Sequence, residues 1–413
     1  MSTIKVDKIT GRTGSAGASS PLQFNGDTLT LGTINSGVSL ASATLTGTTT
    51  LTGDLVPSSP LSHRNLIING AMQVSQRGTT TAPTPKGADD DGYFSVDRYR
   101  LKSGGTTPAR FNLMQESITD LAGFSKAMKV DCTTASASPG SDDYVILTQR
   151  MEGFDLQQME KGFSSAKPVT LSFWVKGTAS RTYVVELRDT SSTARSASQQ
   201  FTVTASWVKH TYTFPGDTGG DKIPNDNTFG LEVNFWLHAG TNFSSGTYTA
   251  LTWANHVDAN TAVGISDSGA GVMNTTSDEF LFTGVQLELG SNATPFEHRS
   301  YGDELARCLR YYNAPVGGGI RAVGSSYGTT GFAFSYSIGT RMRDTPTLVH
   351  INSAAHRAYH SGGYSSSTTN FTISNMKGDI VQINAPGHSG LTDNRPYTLG
   401  MTASYEIALS SEL

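Results

Sequence analysis

Residues 280–312, FLFTGVQLELGSNATPFEHRSYGDELARCLRYY, constrain the fold more than any other stretch of the chain. Their first half alternates: Leu281, Thr283, Val285, Leu287 and Leu289 fall on one side, Phe280, Phe282, Gln286 and Glu288 on the other. That period of two belongs to a half-buried strand. Gly290, Ser291 and Asn292 end it. Ser300 then reads as a helix N-cap, and Asp303 and Glu304 sit in the first turn, where a negative charge suits the helix dipole. Tyr301, Leu305, Cys308, Leu309 and Tyr312 recur at helical spacing, so the short helix has one apolar stripe to bury. It stands between two β-rich regions and reads as a connecting helix over residues 298–313.

Composition explains why the flanks are β. Of 413 residues, 36% are hydrophobic and 15% charged, and 44 are glycine, so small polar residues fill the deficit. Threonine and the aromatics suit strands, while Gly, Ser and Asn suit the connections. The length implies two or three domains. A formal net charge of -4 without a Lys/Arg run argues against a nucleic-acid groove or an anionic membrane surface. The two cysteines, Cys132 and Cys308, are too few and too far apart for a disulfide framework or a zinc site, and read as buried thiols. The first residues lack the apolar core of a signal peptide, and no run approaches the length of a membrane span. Assembly in a reducing cytoplasm and release by lysis are expected, with no membrane insertion.

Along the chain, residues 21–60 form an imperfect short repeat, in which Leu29, Leu31, Ile34, Val38, Leu40 and Leu45 are separated by glycines. One copy buries little apolar surface, whereas three copies wound about an axis bury the leucines against each other; a flexible linker is the alternative. Residues 56–60, VPSSP, mark a boundary. Residues 61–297 then alternate clearly around 145–147, 171–176, 183–188, 201–203, 208–214, 231–238 and 280–289, which is a two-sheet sandwich, most simply a jelly roll. Its long loops, 216–227 and 255–278, are where binding tends to sit. Residues 314–413 form a second, smaller β domain, with strands expected at 331–338, 348–351, 371–373, 380–383 and 397–409.

No GxSxG elbow, HExxH helix or phosphate-binding glycine loop is present in its required context, so no catalytic residue is assigned. Adjacent Asp89, Asp90 and Asp91 offer loop oxygens for a structural calcium ion, and are otherwise solvated; no other cofactor is expected. Sugar binding is the better chemical reading, because a pyranose stacks its apolar face on an aromatic ring and pairs its hydroxyls with polar side chains. Trp174, Glu186, Arg188, Trp236, His238, Gln286 and Glu288 all alternate away from the apolar face. They make one patch unless that face packs on a neighbouring subunit or on the other sheet. Tyr248 and Trp253, with His256, lie near a long loop as further candidates. In residues 350–364, His356, Arg357, Tyr359, His360 and Tyr364 gather among Ser and Gly as a contact loop. The spacing of His350, His356 and His360 suits a polar surface better than a metal.

The strand VQLELG followed by ATPFEHRSYGDELARCLRYY resembles a segment of predicted tail proteins of bacteriophages, in which an ATPFEHR-type motif leads into a helix ending in paired tyrosines. RNLIINGAMQVSQRGTT at residues 64–80, followed by VDRYRL, is similar to the entry of the carbohydrate-binding-like sandwich of the same tail-fibre proteins. The opening MSTIKVDKITGRTG is similar to fibre N-termini. The resemblance implies a mainly β, homotrimeric tail-fibre subunit: a virion-docking segment at 1–20 that meets a tail or adaptor protein, a stalk at 21–60, the jelly-roll sandwich, the helix and a distal β domain. It implies a receptor-binding role in the virion, attaching it to host surface polysaccharide or lipopolysaccharide. A collar or neck fibre without a receptor role and, behind it, a capsular polysaccharide depolymerase are the alternatives.

Overall fold

Twelve strands build the sandwich, and their alternation decides which side chains meet in its middle. In chain order they are β1 (Asp91–Tyr93), β2 (Arg100–Gly104), β3 (Arg110–Ser117), β4 (Lys126–Thr134), β5 (Tyr144–Glu152) and β6 (Val169–Gly177). They continue with β7 (Arg181–Asp189), β8 (Arg195–Val203), β9 (Val208–Phe214), β10 (Phe229–Ala239), β11 (Ala254–Asn255) and β12 (Glu279–Leu289). This computed structural model describes residues 63–413 apart from 88, 107, 137, 179, 190–192, 266–270, 315–321, 353–355, 361–362, 369–370 and 402–405. The docking segment and stalk expected at 1–20 and 21–60 lie outside the described residues.

A seven-stranded sheet in the order β1-β2-β5-β10-β7-β8-β11 faces a five-stranded sheet in the order β3-β4-β12-β6-β9. The chain is therefore mainly β with a sandwich at its centre. Phe173 on β6 meets Phe235 on β10 edge-on at 5.1 Å, and Tyr99 meets Phe282 at 5.2 Å, so interlocking aromatic rings fill the space between the sheets.

The closing strand corrects one expectation. Phe280 and Phe282 enter the core with Val285, Leu287 and Leu289, although simple alternation sets them on opposite faces. The pairing of β12 with β6 shifts between Thr283 and Gln286, around Gly284 with its positive φ of 63°. A bulge adds one residue and inverts the parity of everything before it. Leu281 consequently points outward, into a separate cluster with Ile118, Leu121 and Ala127.

The helix forms at Tyr301–Leu309 with the expected cap, the Ser300 hydroxyl accepting from the Asp303 amide at 3.2 Å. Cys308 is buried, but Tyr301, at the first position, is exposed, and Tyr312 begins a strand instead of extending the helix. The two motifs flanking the sandwich clamp each other. Glu297 accepts from the amides of Arg64 and Asn65, Arg299 donates to the carbonyls of Asn65 and Ile67, and Glu304 accepts from the Asn69 amide at 2.6 Å.

The C-terminal strands are β13 (Tyr312–Asn313), β14 (Ala322–Tyr327), β15 (Gly331–Ser337), β16 (Thr347–Asn352) and β17 (His356–His360). After them come β18 (Gly363–Ser367), β19 (Thr372–Lys377), β20 (Ile380–Ala385), β21 (Pro396–Met401) and β22 (Glu406–Ser410). The single strand expected at 397–409 is thus two strands, which join different sheets. The larger sheet runs β18-β17-β21-β14-β15-β20-β19, and the smaller runs β13-β22-β16. Phe332, Phe334, Val381, Ile383 and Leu399 cover one face of the larger sheet and form a second core. No helix among the described residues is long and apolar enough to cross a membrane.

Candidate functional site

The second face of the larger C-terminal sheet carries three exposed tyrosines, Tyr327, Tyr359 and Tyr364. β17 alternates, so His356 and Ala358 are buried while Tyr359 is 39% exposed. Tyr359 pairs across the hairpin with Tyr364 on β18, which is 52% exposed, and the two rings lie 5.5 Å apart. The Arg357 guanidinium stands 4.3 Å from the centre of the Tyr364 ring. Next to the hairpin, Thr398 of β21 pairs with Tyr359, and Val323 of β14 pairs with Thr398 and is 69% exposed. A shallow depression of about 390 Å³ opens here, lined by Val323, Tyr359, His360, Pro396, Tyr397 and Thr398. The His360 ring meets Tyr397 at 5.8 Å. An apolar ring face beside hydroxyls and a cation is the surface on which a sugar ring can stack and pair.

Of the residues expected here, the structure thus brings together Arg357, Tyr359, His360 and Tyr364. His356 is a correction: it has no exposed surface, its ring packs 4.3 Å from Phe371, and its Nδ1 lies 3.1 Å from Nε2 of the buried His388. The region is also a strand hairpin and not a loop, so parity sends His356 to the core. Val323, Pro396 and Thr398 were not foreseen, because they come from strands far away in the sequence; their only local signal is an apolar or hydroxyl residue at outward positions of β14 and β21.

The sandwich candidates do not make one patch. Trp174 lies on β6 in one sheet, half-buried with Phe124 and Trp207, whereas Trp236 and His238 lie on β10 in the other and are buried. Residues that follow β10 cover that outward face, with the Phe243 ring tilted against Trp236 at 5.5 Å. Beneath this cover is a polar cluster. Glu186 accepts from the Asn234 amide and from the Trp236 indole, both at 3.0 Å, and His256 faces it at 3.4 Å. Burial alone raises the Glu186 pKa, but the hydrogen bond and charge of His256 and the other donors outweigh it and hold the carboxyl below its ordinary value. For His256 burial acts downward, and Glu186 outweighs it, so the imidazole is raised. Asn234 also donates to Glu232 at 3.2 Å, and Glu232 pairs with Arg150 at 3.2 Å. These two carboxylates are closed off from solvent and spent on internal partners. Gln286 and Glu288 are likewise buried and bonded to each other at 2.8 Å.

Tyr248 and Trp253 are half-buried, and the backbone uses their polar ends: the Tyr248 hydroxyl accepts from the Gln200 amide, and the Trp253 indole donates to the Pro215 carbonyl. In the acidic run, Asp91 is paired with Arg100 at 2.5 Å and Asp90 accepts from the Gly87 amide, while Asp89 holds a turn at φ 69°. Among the described residues, no three His, Cys, Asp or Glu side chains gather as a metal site. The oxygen cage that does form holds a lysine: the buried Lys161 ammonium sits 2.6 Å from Asp189, 3.3 Å from Asp217 and 2.9 Å from the Asp221 carbonyl.

No protein-family model matches the chain, and no curated protein matches it. Solved structures with some likeness include a family 30 carbohydrate-binding module, at 12% identity over 59% of this chain and 96% of that one, with a TM-score of 0.30. The family 11 carbohydrate-binding module of a Clostridium thermocellum cellulosomal cellulase aligns at 14% identity over 52% of this chain and 100% of that one, with a TM-score of 0.27. The enzymatically active domain of bacteriophage CBA120 tailspike protein 4 aligns at 13% identity over 55% of this chain and 21% of that one, also with a TM-score of 0.27.

Proposed function

We propose that this chain is a bacteriophage tail-fibre subunit that attaches the virion to host surface polysaccharide or lipopolysaccharide through the open face around Tyr359 and Tyr364. The observation that carries the reading is the pair of exposed tyrosine rings, 5.5 Å apart and flanked by Arg357, beside a depression. The resemblance of ATPFEHR and RNLIINGAMQ to tail-fibre segments supports the phage assignment, and the two motifs bind each other in the fold. Residues 1–20 are the segment that docks on the virion, and residues 21–60 are the stalk of a homotrimer. Weak single contacts suffice in such a fibre, because several copies on one particle multiply them through effective concentration.

The test is adsorption of virions carrying Tyr359→Ala with Tyr364→Ala. Both side chains are exposed, so the fold should hold, and adsorption should drop. Unchanged adsorption overturns the receptor reading and leaves a structural virion fibre. Release of oligosaccharide from host capsule by the purified chain makes it a depolymerase.

A further inference from the structure

A second cleft, of about 770 Å³, lies between the helix Tyr301–Leu309 and the loop that follows β15. Four arginines line it, Arg299, Arg307, Arg310 and Arg341, together with His63 and His298. Its two lining carboxylates are already engaged. Glu297 accepts from the amides of Arg64 and Asn65 and pairs with Arg299, and Asp303 accepts from the Ser300 hydroxyl at 2.7 Å. Two of the arginines are engaged as well. Arg310 makes a two-pronged pair with Glu152 at 2.7 and 2.6 Å, and Arg299 is held by the carbonyls of Asn65 and Ile67.

The other two have donors to spare. Arg307 makes one bond, to Nδ1 of His63 at 3.3 Å, and Arg341 is exposed on the cleft wall. A guanidinium carries five N–H donors in a planar fork that matches a carboxylate or phosphate. The cleft holds no Trp, Tyr or Phe among its lining residues, so it lacks the ring on which a neutral pyranose stacks. It is thus the chemical opposite of the tyrosine face, and its volume suits a short oligosaccharide.

We infer that this cleft binds an anionic sugar, its carboxylate or phosphate held by Arg307 and Arg341. That the anion is carried on a sugar rests on the glycan reading above; the preference for an oxyanion rests on the cleft alone. Arg299 and Arg310, each held by its own carboxylate, keep the walls rigid and leave the net positive charge to Arg307 and Arg341, so little ordering of the walls is needed on binding.

Calorimetric titration of the full chain tests this with a hexuronate disaccharide, its neutral hexose counterpart and glucose 6-phosphate. At least one anionic sugar should bind, more weakly as salt rises, and the neutral disaccharide should bind at least tenfold more weakly, as for loss of a charged hydrogen-bonded pair worth about 1.5–3 kcal/mol. Binding of the hexuronate alone identifies a carboxylate ligand, and binding of the phosphate alone a phosphoryl ligand. Arg341→Ala removes an exposed side chain, so its melting temperature should match the parent while its affinity falls about tenfold. The Tyr359→Ala, Tyr364→Ala variant should keep this binding. No binding by either anion, equal binding of the neutral sugar, or full affinity in Arg341→Ala overturns the inference. Such a result leaves the adsorption test of the tyrosine face untouched, and the converse holds.

Discussion

Arg98, fully buried in the sandwich, is ion-paired with Glu412 at the end of the C-terminal strands. Its guanidinium lies 3.4 Å from the centre of the Tyr311 ring, and Arg77 adds a second pair to Glu412 at 2.9 Å. Arg343 extends the seam, donating to the carbonyls of Asn227 at 3.0 Å and Ser411 at 2.8 Å. The helix end, the last strand and the sandwich therefore share one bonded surface. Deleting residues 314–413 would uncover this seam as well as remove the aromatic face, so point substitutions are the cleaner probes of function.

Glu412→Ala should lower stability by about 3–5 kcal/mol, the cost of leaving a buried guanidinium without its partner. The denaturant midpoint should fall with an unchanged slope. Combining it with Arg98→Met should recover much of the loss, since the buried guanidinium is then gone and Arg77 keeps Asp97 at 3.7 Å. Equal stability of the parent and Glu412→Ala would show the pair to be idle.

Gly284→Ala tests the bulge. A Cβ there would lie 2.8 Å from the Phe124 ring and 3.0 Å from Trp174, at a φ of +63° that disfavours side chains. The conformational penalty alone is about 1–2 kcal/mol, and crowding adds to it. The chemical-denaturation midpoint reports it, and a stability equal to that of the parent would mean that β12 does not bulge at this position.

That bulge also shows what the sequence could reveal. The strands at 171–176, 183–188 and 231–238 were legible from their alternation in the sequence, although β10 shifts register on β5 between Trp236 and His238. Parity across Gly284 was not legible, since a bulge is set by pairing with β6, residues more than a hundred positions away. The outward faces of β7 and β10 read as part of a binding patch or else a packed face; residues following β10 fold over them, and Glu186 is bonded internally to Asn234 and Trp236 and faces His256. In the C-terminal module, Ser- and Gly-rich composition hid β14, β17 and β18, because a sheet with one open face needs few apolar residues. The grouping of Arg357, Tyr359, His360 and Tyr364 was visible because one hairpin supplies all four.

Lys161→Met should destabilise the sandwich by about 3 kcal/mol, because the buried Asp189 and Asp217 would lose the ammonium they share, while Arg195 still pairs with Asp217 at 3.0 Å. Calcium added to this variant should restore part of the melting temperature, since the carboxylates and the carbonyls of Gly219 and Asp221 are hard oxygen donors. The parent, whose cage is filled by its own lysine, should not respond through this cage. A calcium-insensitive variant would show that the cage closes without a cation.

Burial pushes the His388 imidazole below its ordinary value of 6.5. The unfolded chain then takes up this proton first as pH falls, so the contribution of His388 to stability is complete above about pH 6.5 and is lost below it. His256 has the opposite sign: its raised value makes its contribution complete below 6.5 and lost as pH rises through the folded value. Melting curves from pH 8 to 5 should show the parent losing more stability on acidification than His388→Gln. Identical slopes would mean that His388 titrates alike in both states.

The open C-terminal face carries Val323, Ile380 and Tyr327 along with the two tyrosines, so its apolar groups fit either a ligand or another copy of the chain. The two uses separate in solution. Light scattering of the full chain should give a mass near three times 43.8 kDa, as the proposed fibre requires. Val323→Lys places a charge on the face without touching either core. If the face meets the host, this variant keeps the trimeric mass and loses adsorption, because the depression beside Tyr359 gains a cation and loses an apolar wall. If the face joins subunits, the charge must be desolvated at the contact and the assembly loosens to a lower mass. A trimeric mass with full adsorption would remove Val323 from both roles and place the receptor contact elsewhere on the chain.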